Sequence, residues 1–395
     1  MSDSITGALL ALFTADEANR LIDLRRDLHA HPELSWKETR TQERLEAALR
    51  HAGITDVRRI AATGLVARIP GRVPGAPVIA LRGDIDALPI SEATGLSFSS
   101  GNDGVMHACG HDVHASWAVG AAMLLHRTPA DGDVLVVLQP AEELGQGASQ
   151  VLASGALDGA AAIFGAHVDR RFEVGQVVAQ AGPLAASTDS FTITLTGAGA
   201  HGARPHESAD PVVGLASLIT ALQTIISRRL DPAQPGVVTV GIVQAGTAPN
   251  IIPESAFLRG TVRATTTAAR DLIVGEVDRL SFAIAAAHRL QAAVTWGERT
   301  PPLVNTADGT RWALEAAVRV LGVDAVVPLG TTNMGGEDFA FYLERIPGCF
   351  LRIGAREPGG EIIAAHSPRF QPAEESLFVG AAVLAECARV ASRQA

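Results

Sequence analysis

Lysine is almost absent from this chain of 395 residues, in which Lys37 is the only one. Its setting, Leu34-Ser35-Trp36-Lys37-Glu38, is neither a Walker phosphate-binding loop nor an apolar pocket that would activate a Schiff-base amine. The sequence therefore excludes most P-loop enzymes and most pyridoxal enzymes.

Cysteine is also scarce, and the whole set is Cys109, Cys349 and Cys387. An odd, sparse set in a long chain does not indicate a disulfide framework, so a reducing compartment is expected. The start of the chain has no basic stretch ahead of its first apolar segment, and Thr14-Ala-Asp-Glu17 predicts a helix capping box. We therefore expect a cytoplasmic protein without a secretory signal.

Long apolar runs and excess positive charge are missing as well. The most apolar later segment, 212–226, contains Ser217, Thr220 and Gln223 and falls short of the roughly 18 apolar residues that a membrane span requires. Lys and Arg number 32 against 42 acidic residues, so the formal net charge of −10 argues against a surface that binds phosphate backbones. Neither a membrane nor a nucleic acid is expected as a partner.

The composition that remains is that of a folded globular protein. Apolar residues make up 47% of the chain and charged residues 19%, which supplies enough material for a buried core. At a prior of about 150 residues per domain, this length predicts at least two domains.

Local patterns predict two kinds of domain along the chain. Helices are predicted over 16–30, 38–51, 115–126, 148–153, 311–321 and 373–390, and strands over 64–69, 78–82, 134–139, 162–167 and 349–353. Between them lies a strand, helix, strand, strand, helix, strand series over 191–195, 211–230, 237–243, 257–263, 267–290 and 293–296. The sequence thus predicts an α/β domain with a helix-covered sheet, formed by 1–184 and 298–395, and an inserted α+β, ferredoxin-like domain over 185–297.

The densest group of chemically active residues is Met106-His-Ala-Cys109-Gly-His111-Asp-Val-His114. Thiolate, imidazole and carboxylate together are the ligands of zinc and its transition-metal neighbours, and a turn can direct Cys109 and His111 at one ion. The alternative is a cysteine that packs in the core, with histidines that cap the following helix.

Two adjacent acids, Glu142 and Glu143, follow the predicted strand 134–139. Their mutual repulsion is relieved by a divalent cation, which one can bind while the other moves a proton. The alternative is a solvated helix start, where the helix dipole favours acids.

His167, at the predicted end of the next strand, and His366, in a later loop, complete the set of candidate donors. Cys109, His111, Glu143, His167 and His366 exceed the three or four ligands of one zinc ion, so two ions that share a bridging group are predicted. Two ions indicate hydrolysis.

A further pair of acids, Asp84 and Asp86, ends another predicted strand. One of them could orient a metal-binding imidazole, and for Asp84 a plain turn role is an equal alternative. The run 197–202 matches a dinucleotide-binding glycine pattern, yet no helix follows it, so that fold is rejected. His201 within this run is a candidate hydrogen-bond donor to a developing oxyanion.

Five runs in this order resemble the di-metal aminoacylase/carboxypeptidase family, whose catalytic domain is aminopeptidase-like. Cys at the first metal position makes the chain similar to its branch of hippurate hydrolases, indole-3-acetyl-amino-acid hydrolases and bacterial N-acyl-amino-acid deacylases. The runs are His107-Ala-Cys109-Gly-His111-Asp112, Gln139-Pro-Ala-Glu142-Glu143, Gly199-Ala-His201-Gly202, Pro249-Asn-Ile-Ile-Pro-Glu254 and Met334-Gly-Gly-Glu-Asp-Phe339.

The resemblance implies a role for each matching residue. It places Glu142 on the general base, Asp86 on an acid beside the metals, and the five candidate donors on the metal ligands. It implies that the inserted domain forms a homodimer or a tetramer and lends residues to the partner's active site. The implied substrate contacts are His201, Asn250, Arg263 and Gly335, although Asn250 or Arg263 could instead serve an interface.

The implied reaction is hydrolysis of an N-acyl amino acid to a carboxylic acid and a free amino acid, by a water between two metal ions with Glu142 as general base. Manganese or zinc is expected, and cobalt or nickel would also suit these ligands. The alternatives are a dipeptidase or ureido amidohydrolase that uses the same site, and a metal-loaded dimer that only binds a ligand.

Overall fold

A computed structural model describes residues 7–332 and 334–395. The chain divides into two compact units: unit 1 comprises Met1–Gly182, Asn305–Thr331 and Phe341–Ala395, and unit 2 comprises Pro183–Val304 and Thr332–Ala340. The naming of the predicted domains as catalytic and dimerising stays a prediction. The expectation that the chain has no secretory signal concerns in part residues 1–6, which lie outside the described part of the chain.

The helices and strands are numbered in chain order. The helices are α1 (Ala15–Ala30), α2 (Thr39–His51), α3 (His111–Arg127), α4 (Gly147–Ala153), α5 (Pro211–Thr224), α6 (Thr267–Ala287), α7 (Ala307–Leu321), α8 (Ala340–Leu343) and α9 (Ser376–Gln394). The strands are β1 (Val57–Ile60), β2 (Gly64–Ile69), β3 (Val78–Asp84), β4 (Val134–Gln139), β5 (Ala160–Glu173), β6 (Val177–Val178), β7 (Gly182–Ala185), β8 (Thr188–Thr196), β9 (Ala200–His201), β10 (Gly236–Ala245), β11 (Ile251–Ile252), β12 (Ser255–Ala264), β13 (Gln291–Thr300), β14 (Leu303–Asn305) and β15 (Gly348–Arg356).

Unit 1 is built on a seven-stranded mixed sheet in the order β1-β2-β4-β3-β5-β15-β6. The pairs β3–β4, β3–β5 and β5–β15 are parallel, whereas β1, β2 and β6 pair antiparallel. Every residue of β4 is buried, as expected for a strand with both faces covered. Trp117 of α3 and Leu384 of α9 are buried in the same core. The predicted helix-covered α/β sheet is confirmed.

The start of α1 follows the predicted capping box. Glu17 N donates to Thr14 Oγ1 at 3.2 Å, and Thr14 N donates to Glu17 Oε2 at 2.7 Å. These two bonds satisfy amides that the first helical turn would otherwise leave unpaired.

Unit 2 has the connectivity β8-α5-β10-β12-α6-β13 and the sheet order β10-β12-β8-β13, with neighbouring strands antiparallel. Alternate residues of β8 point inward, and Phe191, Ile193 and Leu195 join the core beneath the two helices. The predicted ferredoxin-like arrangement is confirmed.

One described helix, Pro211–Arg229, is long and apolar enough to cross a membrane, by length and composition alone. The sequence analysis did not predict a membrane-spanning length here, because Ser217, Thr220 and Gln223 interrupt the run of apolar residues. Leu215, Leu218 and Leu222 of this helix are fully packed in the core of unit 2, which gives the helix a role in a folded core.

Candidate metal centre

Cys109 and His111 flank a tight turn into α3. The helix begins at His111, four residues before its predicted start, because Gly110 takes a left-handed conformation with φ of 87° and starts the helix at once. A side chain on Gly110 would also lie 2.5 Å from Val168 Cγ2. The early start puts His111 and His114 on the first turn of α3, which places both rings beside the strand ends.

Cys109, His111 and His167 form one group of candidate donors, whose ligand atoms lie within 4.8 Å of one another. Cys109 Sγ is 3.2 Å from His167 Nε2. The prediction that His167 ends its strand was wrong: β5 continues to Glu173 because β15 pairs with it in parallel beyond that point.

Cys109, Glu143 and His366 form a second group within the same 4.8 Å limit. His366 Nε2 lies 3.5 Å from Glu143 Oε2. The His366 backbone is left-handed, with φ of 67°, and its amide donates to Ala108 C=O at 2.8 Å. The two groups therefore share a single atom, Cys109 Sγ.

Glu142 and Glu143 both approach the same ring nitrogen. Glu142 Oε2 is 3.8 Å and Glu143 Oε1 is 3.9 Å from His111 Nε2, and their side chains are 10% and 11% exposed. The structure thus brings together all five predicted donors and the predicted general base.

Asp86 accepts hydrogen bonds from His111 and from the backbone of both acids. His111 Nδ1 donates to Asp86 C=O at 2.8 Å and lies 3.2 Å from its Oδ1. The amides of Glu142 and Glu143 donate to the two carboxylate oxygens at 3.1 and 3.0 Å. One buried carboxylate therefore orients a ring and two backbone amides.

The donor atoms fit a divalent cation. His111 Nε2 and Glu143 Oε1 are buried, and among the described residues neither has a hydrogen-bond partner. Because His111 carries its proton on Nδ1, Nε2 offers a lone pair to an ion. Thiolate, imidazole and carboxylate are the donor types of zinc and manganese sites.

The pKa values show how the donors hold protons in the absence of a cation. Burial and the Glu143 charge raise the pKa of Cys109. Burial alone would lower the pKa of His111, but the Asp84 charge, the hydrogen bond to Asp86 and the nearby Cys109 together outweigh it, and the pKa rises well above its usual value. Hydrogen bonds to Cys109 and Glu143 raise the pKa of His366 to about 10. A bound cation would displace these protons.

Asp84 contacts His114, a histidine that is not among the five predicted metal ligands. It pairs with Arg82 and accepts from His114 Nδ1 at 2.6 Å, while His114 Nε2 accepts from Val168 N at 3.0 Å. Asp84 thus orients His114, which the sequence left unassigned, and through it the backbone next to His167.

Sequence reasoning also missed a buried charged network at the start of α3. Asp112 accepts from Arg25 Nε at 2.8 Å and from His29 Nδ1 at 2.9 Å. His29 Nε2 lies 3.2 Å from Glu92 Oε1. The sequence does carry a signal for this network, because Arg25 and His29 are four residues apart and therefore share one face of α1.

His201 and Asn250 are neighbours within unit 2. Strands β9 and β11 pair antiparallel, and Gly202 N donates to Asn250 C=O at 2.8 Å. His201 is exposed, and its Nδ1 accepts from Ala203 N at 3.0 Å, which leaves Nε2 as the nitrogen that carries the proton. This ring presents a hydrogen-bond donor to solvent.

Arg263 and Gly335 also lie in unit 2. The Arg263 guanidinium donates to Thr188 Oγ1, and burial lowers its pKa while Asp189 opposes that shift. Gly335 C=O accepts from Ala186 N at 3.1 Å. Arg263 is half-buried and keeps its charge, which suits it to an anion.

Residues 80–390 match the model of the peptidase family M20/M25/M40. N-acetylcysteine deacetylase of Bacillus subtilis (strain 168) is 43% identical over 95% of this chain and 98% of its own length. IAA-amino acid hydrolase ILR1-like 2 of Arabidopsis thaliana is 37% identical over 93% of this chain and 84% of its own. The crystal structure of the YXEP protein of Bacillus subtilis, described as a dinuclear metal binding peptidase from the M20 family, covers 97% of this chain and 100% of its own at 37% identity and a TM-score of 0.84. With this match, the shared architecture and the two donor groups around Cys109, the chain belongs to peptidase family M20/M25/M40.

Proposed function

We propose that this protein is a metal-dependent amidohydrolase that cleaves the amide bond of N-acyl amino acids, releasing a carboxylic acid and a free amino acid. The observation that carries the proposal is the pair of donor groups that share Cys109 Sγ beside Glu142. The names of two relatives, N-acetylcysteine deacetylase and IAA-amino acid hydrolase, support N-acyl amino acids as the substrate class.

Two divalent cations would be held by five side chains of unit 1. Cys109, His111 and His167 would bind one, and Cys109, Glu143 and His366 the other, with the thiolate shared. When bound, such ions polarise an amide carbonyl and lower the pKa of water to about 7. Manganese or zinc suits these donors, and cobalt or nickel would be accepted.

Glu142 would move the proton. Its carboxylate is nearly buried beside His111 and takes the proton of the attacking water, then returns it to the leaving amine nitrogen. Asp86 acts through others, because it orients the His111 ring and the amides of Glu142 and Glu143.

Residues of unit 2 would bind the substrate. His201 Nε2–H is a donor suited to the developing oxyanion, and we propose that it acts on the active site of a second subunit in a homodimer or tetramer. Arg263 and Asn250 would bind the carboxylate of the amino-acid half, and Gly335 would be a further substrate contact. The scarce cysteines support a cytoplasmic location.

The test is a substrate panel with protein whose metal content has been measured. N-acetyl and arylacetyl amino acids should be cleaved with a kcat/KM at least about tenfold above that for dipeptides and ureido acids, a difference of about 1.4 kcal/mol. Faster cleavage of dipeptides or ureido acids would replace the proposed substrate class. No turnover of any compound at full metal content would contradict enzymatic function.

A further inference from the structure

The segment Ala141-Glu142-Glu143 has an unusual backbone. Ala141 adopts a left-handed conformation with φ of 52°, which is unfavourable for a residue with a side chain. Such a conformation persists only where its surroundings hold it. The contacts of this segment therefore decide where the two acids point.

Three consecutive amides of this segment donate to two carboxylates. Asp86 accepts from Glu142 N and Glu143 N, and Glu38 Oε1 accepts from Ala141 N at 3.0 Å. Glu38 is fully buried, and its other oxygen accepts from Thr63 Oγ1 at 2.6 Å. Both oxygens of Glu38 are thus engaged in holding backbone and side chain in place.

The residues just before Glu38 reach the same region. Ser35 Oγ donates to Asp86 Oδ2 at 2.7 Å, and Trp36 Nε1 donates to Gln146 Oε1 at 3.0 Å. Trp36 itself is left-handed, with φ of 65°. A turn near the N-terminus therefore contacts Asp86, Ala141 and Gln146 separately.

We infer that the turn Ser35–Glu38 positions the two active-site acids, with Glu38 as its main positioning residue, so that Glu143 can bind a metal ion and Glu142 can move a proton. The Glu38 carboxylate bonds to the Ala141 amide and to Thr63 Oγ1, and Glu38 acts on the two acids through that amide. The inference rests on the proposed metal site.

The experiment measures Co²⁺ binding to the apoprotein, followed by the thiolate-to-cobalt absorption that Cys109 would give. Glu38→Ala leaves the buried Ala141 amide without its acceptor and should weaken Co²⁺ binding by about 10- to 100-fold, the usual range for residues that orient ligands. Glu38→Gln keeps an acceptor oxygen and should stay within about threefold of the unmodified protein.

Glu33→Ala is the matched control. Glu33 lies in the same stretch and accepts two backbone amides, those of Arg40 at 3.2 Å and Thr41 at 2.8 Å, but these amides belong to the start of α2. It should lower the melting temperature as Glu38→Ala does and leave Co²⁺ affinity within about threefold. If Glu38→Ala fails to fold, Thr63→Val, which removes the bond that orients Glu38, replaces it.

Unchanged Co²⁺ affinity in the folded Glu38 or Thr63 variant would overturn the inference, as would an equal loss in Glu33→Ala. Absence of the cobalt absorption in the unmodified protein would instead contradict the proposed metal site itself. Because none of these readouts needs turnover, a wrong substrate class does not affect them.

Discussion

Single hydrogen bonds decide which histidines can bind an ion. His111 donates from Nδ1 to the Asp86 C=O and His167 donates from Nδ1 to the Val168 C=O, so each presents the lone pair of Nε2. His114 is different, because its Nε2 already accepts from Val168 N and its Nδ1 faces Asp84. Asp84, His111 and His114 also lie close enough to form a donor group. Because both nitrogens of His114 are already hydrogen-bonded, we assign this group to positioning the neighbouring ligands and not to a third metal ion.

The charged network around His29 makes a prediction about stability. Burial alone would lower the pKa of His29, but Asp112 and Glu92 outweigh it and raise the pKa from 6.5 to about 9. The protonated ring therefore stabilises the fold fully below pH 6.5, and this contribution is lost as the pH rises through 9. His29→Gln should remove up to about 3 kcal/mol of stability at pH 6 and much less at pH 9.5.

Urea unfolding at the two pH values measures this difference. His51→Gln, at the exposed end of α2, is the control and should differ little from the unmodified protein at either pH. A deficit in His29→Gln that is equal at pH 6 and pH 9.5 would show that the ring does not carry the proposed charge.

At the scale of elements, glycines set how closely α3 approaches the sheet. A side chain on Gly83 of β3 would lie 2.5 Å from the carbonyl oxygen of His114, a backbone atom that cannot move without the helix. Gly83→Ala should therefore lower the free energy of unfolding by about 1–3 kcal/mol or more. Gly275 of α6 has open space around it, and Gly275→Ala should raise that free energy by about 0.5–1 kcal/mol.

Thermal unfolding of the two alanine variants checks the direction of both changes. We expect a lower transition temperature for Gly83→Ala and a higher one for Gly275→Ala. A Gly83 variant as stable as the unmodified protein would mean that α3 does not pack on β3 as closely as described.

Local patterns were enough to predict most elements but not their ends. Apolar periodicity predicted the sheet of unit 1 and the ferredoxin-like order of unit 2. It missed the early start of α3, which depends on the conformation of Gly110, and the extension of β5 past His167, which depends on pairing with distant β15. Strand ends and helix starts follow such tertiary contacts, so local sequence predicts them least well.

Some residues of the candidate site could likewise be predicted from the sequence, and others could not. Its donors were predictable, because Cys109, His111 and Glu143 lie in short motifs with recognisable chemistry. The support from Glu38 was not, since its partner Ala141 is 103 residues away and nothing local marks the contact. Residues that hold a site through long-range backbone bonds carry no local signature.

At the scale of the whole molecule, the central proposal beyond one chain is that subunits complete each other's active sites. If His201 acts in the partner's site, a mixed dimer of His201→Ala and Glu142→Gln chains has one site with both residues intact. Random exchange at equal concentrations should then restore about a quarter of the normal activity. Two inactive homodimers that regain nothing after demonstrated exchange would contradict action of His201 in the partner's site, and an active His201→Ala homodimer would place His201 outside catalysis.

The most direct test of the proposed function compares Glu142→Gln with Glu143→Gln for metal content and for hydrolysis of an N-acyl amino acid. Glu142→Gln should keep two ions per chain and lose about 10²- to 10⁴-fold in kcat, because only the proton carrier is removed. Glu143→Gln should lose metal together with activity, because it removes a ligand. Turnover at the normal rate by fully metallated Glu142→Gln would contradict the account.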